Sequence, residues 1–215
     1  MRVRRSGVPA TIGLVVEGDA EFAAFPRLHS HKLIAGCPPI KATNLHCVGS
    51  DREPIGIARL IAPKVIAHQV AGRERVIVCF DREQRTVCAP ELAKAVAIKL
   101  REVLRDTNRS DEGVSVVVAD RAFEAWLLAG AHGLHAKRLL KSVPSSWTSF
   151  EGKPGRENKK GVAELETLLG RPYSKTVDGP ELFCSLSFPD ARAYADGALG
   201  SRSLDKFLRE LGCLS

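Results

Sequence analysis

Short apolar runs in the first 120 residues restrict the fold more than any other feature of this sequence. Each run contains β-branched residues and is followed by a segment in which apolar residues recur at helical spacing. The runs are TIGLVV (11–16), IKATNLHCV (40–48), RVIVCF (75–80) and VSVVVAD (114–120). Strands that are apolar on both faces and alternate with helices are typical of a parallel sheet covered by helices on each side. The sequence therefore predicts an α/β fold with a mostly parallel, Rossmann-like sheet.

Helical spacing fills the intervals between these runs. A helix is predicted from Asp19 with a bend at Pro26, and others at 53–70, 89–105 and 121–130. Beyond residue 142 the pattern weakens into a polar loop, and the short helices predicted after it cover 161–169, 180–198 and 203–211. We therefore expect residues 1–141 to form the α/β core and 142–215 to form a basic loop and a helical C-terminal extension packed on that core.

Composition excludes several classes of protein. With 44% hydrophobic and 27% charged residues, the chain is neither disordered nor fibrous. Its net charge of +7 fits a nucleic-acid partner. Its six cysteines include no CxxC pair, which favours a reduced, cytoplasmic setting. The sequence shows neither a signal peptide nor an apolar run of transmembrane length, so we expect no membrane partner.

Acidic residues follow three of the four predicted strands. In an open α/β sheet, ligands bind outside the carboxyl ends of the strands, so these side chains are expected at one edge. Two of the strand ends have a second acid nearby, and a further glutamate lies in the apolar helix run AFEAWLLAGA. The six residues are Glu17, Glu21, Asp81, Glu83, Asp120 and Glu124.

A cluster of carboxylates predicts a divalent cation. Two like charges about 4 Å apart repel by roughly 4 kcal/mol at an effective dielectric near 20, and a bound cation relieves that repulsion. Oxygen ligands without His or Cys favour Mg²⁺ or Mn²⁺, and a pair of such ions suits in-line phosphodiester displacement. Five of the six acids also have a purely structural interpretation. Glu17, Glu21 and Asp81 can cap helices or turns, Asp120 can be the N-cap of a helix that starts at Arg121, and Glu124 can pair with an arginine.

A basic segment and a group of His and Cys residues are the other candidates for a binding site. The segment contains Lys153, Arg156, Lys159 and Lys160, and it is interpreted either as a solvated loop or as a clamp for phosphate. A zinc site from the His and Cys residues between 29 and 47 is disfavoured, because their spacing matches no zinc-finger pattern.

The order of these motifs resembles a known family. VVEGDAEFAAF, VIVCFDRE, ADRAFEAWLLAG, NKKGVAELETLLGRPYSKTVDGPEL and SRSLDKFL are similar to the Toprim-like proteins grouped as domain of unknown function 4276. That family is related to the overcoming-lysogenization-defect nucleases and, more distantly, to the metal-binding domains of topoisomerases and primases. The resemblance extends from about Thr11 to Leu208.

The resemblance implies roles for particular residues. Glu17 matches the Toprim glutamate, Asp81 the first acid of the family's DxD motif, and Glu21 the second acid of EGxxE. Glu83 departs from the family, since it stands where DxD has its second aspartate. The nuclease branch also uses a downstream lysine, for which Lys159, Lys160 and Lys175 are candidates. The resemblance further implies a bacterial protein, a role in phage defence and an ATPase partner.

Together, the residues and the resemblance predict a Mg²⁺- or Mn²⁺-dependent nuclease, with DNA expected rather than RNA. Glu17, Asp81 and Glu83 are expected to hold one ion, while Glu21 and Glu124 help to hold a second or orient its water. The predicted catalytic residues are Glu17, Glu21, Asp81, Lys159 and Lys160, and the predicted nucleic-acid contacts are Lys153, Arg156, Lys159, Lys160 and Lys175.

Two other functions stay open at this point. The first is a non-enzymatic Toprim-like subunit that binds nucleic acid or an ATPase. The second is a phosphatase of the haloacid dehalogenase type, because VIVCFDREQRT loosely resembles a DxDxT motif. A homo-oligomer is also expected, with Trp126, Trp147 and the C-terminal helices as its interface.

Overall fold

A parallel sheet forms the centre of the protein. The computed structural model describes residues 10–30, 37–145, 147, 161–192 and 200–212. Within these residues, four strands form one all-parallel sheet in the order β2-β1-β3-β4. The strands are β1 (Ile12–Val16), β2 (Ile40–Asn44), β3 (Val76–Asp81) and β4 (Val114–Ala119). This arrangement confirms the predicted Rossmann-like α/β fold.

Helices cover both faces of the sheet. In chain order they are α1 (Asp19–Ala24), a 3₁₀ helix (Phe25–Ser30), α2 (Pro54–Val70), α3 (Ala89–Asp106), α4 (Phe123–Ala129), α5 (Ala131–Ala136), α6 (Gly161–Leu169), α7 (Asp178–Cys184), α8 (Phe188–Arg192) and α9 (Arg202–Leu211). The predicted bend at Pro26 is a change from α to 3₁₀ geometry. Helix α5 was not predicted. The predicted helix 180–198 is divided between α7 and α8, and its last part lies outside the described residues.

The two faces of the sheet have separate hydrophobic clusters. Helices α2 and α3 pack on one face, and the helices that follow β1 and β4 pack on the other together with α6 to α9. The second cluster contains an aromatic group formed by Phe25, Phe123, Trp126, Phe183 and Phe207, in which the Phe25 and Phe207 ring centroids lie 4.5 Å apart. The described part of the chain beyond residue 142 is therefore packed against the sheet through a shared core.

Trp126 does not form an exposed interface. It is fully buried, and its indole N–H donates to Ser203 Oγ at 2.7 Å, so the expectation that it contributes to an oligomer interface is wrong. Trp147 is partly buried against the same cluster. None of the described helices is long and apolar enough to cross a membrane.

A close approach between α2 and the sheet fixes the position of β1. A Cβ atom on Gly13 would lie 2.7 Å from His68 Cγ, so only glycine admits the buried imidazole here. The His68 ring is held on both sides, with Nε2 3.1 Å from Thr43 Oγ1 and Nδ1 2.9 Å from an Arg73 nitrogen. This packing of α2 against Gly13 holds β1 in place, and Glu17 directly follows that strand.

Candidate metal and phosphoryl-transfer site

An acidic pocket of about 240 Å³ opens at the carboxyl edge of the sheet. The pocket is lined by five of the six acids that the sequence predicts for this edge, namely Glu17, Glu21, Asp81, Glu83 and Glu124. The other described lining residues are Gly18, Asp19, Ala20, His46, Cys47, Phe123, Lys175 and Thr176. Among them, Lys175 is the one lysine or arginine. We call this set of residues the acidic pocket.

Glu17 joins three parts of the chain at the base of the pocket. It directly follows β1 and is 8% exposed. Its Oε1 accepts a hydrogen bond from the Val48 N–H at 2.7 Å, and its Oε2 accepts one from the Asp81 N–H at 3.1 Å. Burial raises the pKa of Glu17, and these two hydrogen bonds act in the opposite direction. Glu17 is therefore a structural residue as well as a candidate ligand.

Glu21 lies in the first turn of α1 and is 7% exposed. Its carboxylate folds back over the turn that precedes the helix, and a Cβ on Gly18 would lie 2.5 Å from Glu21 Oε2. The glycine in Glu17-Gly18 thus leaves the space that this carboxylate occupies, and any side chain there would displace the end of Glu21. Burial, followed by the negative charges of Glu124 and Glu17, raises the pKa of Glu21 to about 7.

Asp81 and Glu83 lie where β3 ends. Alternation along a continuing strand would project both side chains in the same direction, but β3 stops at Asp81 and the chain then turns. Glu83 has a positive φ of 52°, and its N–H donates to the carbonyl of Arg121 at 2.6 Å. Arg121 also has a positive φ, 79°. Glu83 reaches the pocket beside Asp81 because the loop after β4 holds this turn in place. Continuation of the strand is not the reason.

Glu124 and Lys175 face each other across the pocket. Glu124 is in the first turn of α4 and is 3% exposed. Lys175 lies between α6 and α7, with its Nζ 3.7 Å from Glu124 Oε1. The first residue of α6, Gly161, packs directly against this glutamate, because a Cβ there would lie 2.8 Å from Glu124 Cβ. The partner of Glu124 is therefore a lysine from the C-terminal part of the chain, not the expected arginine.

Asp120 is not among the residues that line the acidic pocket. Its Oδ1 lies 2.6 Å from Arg82 Nε, and both side chains are largely buried. The expectation that it caps the following helix is wrong, because α4 begins at Phe123 with Ala122 as its N-cap residue. A tertiary ion pair holds this carboxylate instead.

Mutual repulsion dominates the electrostatics of the pocket. The pKa of Asp81 is well above its usual range, first because the carboxyl group is desolvated and then because Glu21, Glu124 and Glu17 lie nearby. The same glutamate that pairs with Lys175 raises the pKa of that lysine. The pocket thus has more negative charge than Lys175 balances, which is the condition that a bound divalent cation relieves.

The donor chemistry fits a hard divalent cation, but the ligands are not gathered. The five acids offer carboxylate oxygens, which Mg²⁺ and Mn²⁺ prefer. Among the described residues, no three His, Cys, Asp or Glu side chains are grouped closely enough to hold a metal ion as they stand. The acids therefore share a pocket without forming a finished coordination shell.

Three residues that line the pocket were not predicted to belong to it. Asp19, His46 and Cys47 line its rim, and His46 Nδ1 is 4.0 Å from Asp19 Oδ1. His46 and Cys47 follow β2, so the rule that ligands gather at strand ends could have found them. Of the predicted basic residues, the structure brings Lys175 to the pocket. The other four lie outside the described residues, namely Lys153, Arg156, Lys159 and Lys160.

No family model, curated protein or solved structure matches this chain. The resemblance to Toprim-like nucleases accordingly stays a prediction.

Proposed function

We propose that this protein is a Mg²⁺- or Mn²⁺-dependent nuclease of the Toprim type that cleaves phosphodiester bonds, in DNA rather than RNA. One observation supports this most directly: carboxylates that follow β1 and β3 and lie in α1 and α4 line a single pocket with one lysine. Three of these glutamates are less than one-tenth exposed, so their charges are poorly solvated without a counter-ion.

The proposed metal ligands are those that the sequence predicts, and all five of them line the pocket. Glu17, Asp81 and Glu83 would hold one ion, and Glu21 and Glu124 would hold a second or orient a water molecule. When bound, such cations supply Lewis-acid charge that stabilises the transition state of phosphodiester displacement. Glu17 keeps acceptor capacity for this role, because each carboxylate oxygen accepts more than one interaction and each is engaged by one backbone N–H.

Lys175 would stabilise the negative charge that develops on the phosphate. Its side chain is 63% exposed, so its ammonium group can exchange Glu124 for a phosphate oxygen without unfolding any element. Glu21, in the first turn of α1, would help to orient the attacking water. Lys175 would stabilise charge and Glu21 would position the water molecule in the same pocket.

The net positive charge of the chain supports the proposal of a nucleic-acid substrate. The chain has a net charge of +7, although the pocket itself is acidic, so the excess positive charge is elsewhere on the protein. The basic segment that contains Lys153, Arg156, Lys159 and Lys160 remains a proposed clamp for the phosphate backbone. An ATPase partner and a role in phage defence are proposed on the resemblance alone.

A cleavage assay tests the proposal. Purified protein is incubated with supercoiled plasmid, linear DNA and folded RNA in Mg²⁺, Mn²⁺ or EDTA, beside Glu17→Gln and Asp81→Asn. We expect metal-dependent cleavage of DNA that both substitutions abolish. Glu181→Gln, which changes an exposed carboxylate on α7, is the matched control and should cleave like the parent. Tight DNA binding without cleavage by correctly folded protein would instead support the non-enzymatic subunit.

A further inference from the structure

Tyr173 has a buried hydroxyl group that nothing in the described structure uses. The residue lies between α6 and α7, and its side chain belongs to the core on the α1 and α4 side of the sheet. It is 9% exposed, and its Oη has no hydrogen-bond partner among the described residues. Buried polar groups in native proteins are nearly always paired, so an unpaired one requires an explanation.

The hydroxyl and two residues that line the acidic pocket are neighbours of the same glycine, Gly179. A Cβ built on Gly179 would be 2.8 Å from Tyr173 Oη, 3.3 Å from Ala20 Cβ and 3.4 Å from Phe123 Cε1. Ala20 and Phe123 both line the pocket. Gly179, which has no side chain, thus leaves room for the hydroxyl beside these two residues.

Position and charge together indicate which group the hydroxyl can serve. Phe123, which lies beside the same Gly179 as the hydroxyl, directly precedes Glu124 in α4. Burial and then the negative charge of Glu124, ahead of that of Glu21, raise the pKa of Tyr173. The phenol therefore stays protonated and can donate a hydrogen bond to a carboxylate. Glu124 is the carboxylate that loses its partner if Lys175, now 3.7 Å away, turns towards a bound phosphate.

We propose that Tyr173 is a positioning residue of the proposed metal centre, and that its hydroxyl donates a hydrogen bond to the Glu124 carboxylate when the site is loaded. This inference rests on the proposed function. In the free protein Lys175 serves Glu124 and the hydroxyl is unpaired. In the loaded site the Tyr173 hydroxyl replaces Lys175 as the hydrogen-bond donor to Glu124, which leaves the lysine available for the substrate. Hydrogen-bond donors to metal-ligating carboxylates hold the ligand in its binding orientation.

Tyr173→Phe tests the inference, because it removes only the hydroxyl. In EDTA the variant should be as stable as the parent or more so, since the lost group had no partner. By calorimetry its affinity for Mn²⁺ should fall about tenfold. Glu124→Gln should lower Mn²⁺ affinity as well, and adding Tyr173→Phe to it should cause no further loss, because both substitutions remove the same interaction.

Each outcome decides the inference. A marked loss of stability of Tyr173→Phe in EDTA would mean that the hydroxyl is already paired in the free protein, and an unchanged Mn²⁺ affinity would mean that it does not serve the centre. Either result overturns the inference alone. If the parent protein binds no Mn²⁺, the proposed centre is wrong and the inference is wrong with it. If the parent binds Mn²⁺ without cleaving DNA, the proposed nuclease activity is wrong. The Mn²⁺ affinities of the parent and of Tyr173→Phe still decide the role of Tyr173.

Discussion

Lys175 and Glu124 form an unequal pair: the ammonium nitrogen lies 3.7 Å from Glu124 Oε1, and the lysine side chain is 63% exposed whereas that of the glutamate is 4% exposed. An exposed lysine gains little from such a contact, but a buried carboxylate loses its partner if the lysine is removed. The lysine is therefore the member of the pair that is free to move.

Lys175→Met should separate metal binding from cleavage. Removing the cation should lower the cleavage rate about 10²- to 10³-fold, as expected for the loss of a group that stabilises transition-state charge. The affinity for Mn²⁺ should stay the same or rise, because a positive charge that competes with the metal is gone. Cleavage kinetics and calorimetry measure the two effects. Lys94→Met on α3, on the opposite face of the sheet, is the control. A parallel loss of both properties would mean that Lys175 maintains the pocket itself.

Glu17→Ala should destabilise the protein independently of any metal. It leaves the N–H groups of Val48 and Asp81 without their acceptor, at a cost of about 1–3 kcal/mol for each group that stays buried. Asp81→Asn should instead leave the free energy of unfolding unchanged or raise it at neutral pH, because it removes a repelling charge. Denaturant unfolding in EDTA compares the two. Equal stability of Glu17→Ala and the parent would contradict the structural role of Glu17.

The stability of the metal-free protein should fall as the pH rises from about 5 to about 7.5. The pKa of Glu21 is raised from 4.5 to about 7 in the folded chain, so the folded state binds more protons than the unfolded state across this interval. The contribution of Glu21 to stability is present below pH 4.5 and is lost as the pH approaches 7, by an amount on the order of 1–3 kcal/mol.

Thermal unfolding in EDTA across this pH range measures the effect. Glu21→Gln cannot ionise at this position, so its melting temperature should depend less on pH and should exceed that of the parent near pH 7.5. Added Mg²⁺ should raise the melting temperature of the parent most at the upper end of the range. Identical pH profiles for the parent and Glu21→Gln would contradict the assignment of the proton to this site.

Gly161→Ala should displace Glu124 without removing any carboxylate. The added methyl group would lie 2.8 Å from Glu124 Cβ, so the start of α6 or the glutamate must move. We expect a several-fold weaker affinity for Mn²⁺, measured by calorimetry. Gly133→Ala in α5 is the matched control, because its new Cβ would meet its nearest neighbour, Ser187 Cβ, at an ordinary 3.7 Å. If both variants bind Mn²⁺ like the parent, the contact between α6 and Glu124 does not set the geometry of the site.

The strands could be predicted because their pattern is local. All four runs of β-branched and apolar residues became strands, and the acids after β1 and β3 reached one pocket because parallel strands end at the same edge. The end of β2 could not be predicted. Asn44 accepts a hydrogen bond from the His46 N–H at 2.7 Å and donates one to Asp19 at 2.6 Å, and this side-chain pairing ends the strand before the predicted Val48.

The rest of the site depends on contacts between distant parts of the chain. Asp120 has the position of a helix cap, but its ion pair with Arg82 cannot be inferred from spacing. Glu124 is buried because α6 and α7 pack over α4, and the same packing selects Lys175 from the lysine-rich region that follows residue 150. The sequence predicted most of the acids that converge, but not which cation faces them.

The order in which the chain is synthesised has a consequence for this pocket. All six acidic residues of the pocket belong to the first 124 residues, whereas Lys175 belongs to a segment that leaves the ribosome later. Since proteins are made from the N-terminus, a nascent chain contains all of the acids before their lysine and before the helices that pack over Glu124. On the proposed mechanism, an unfinished polypeptide is therefore much less active, and translation must pass Lys175 before the protein can efficiently damage nucleic acid in the cell that makes it.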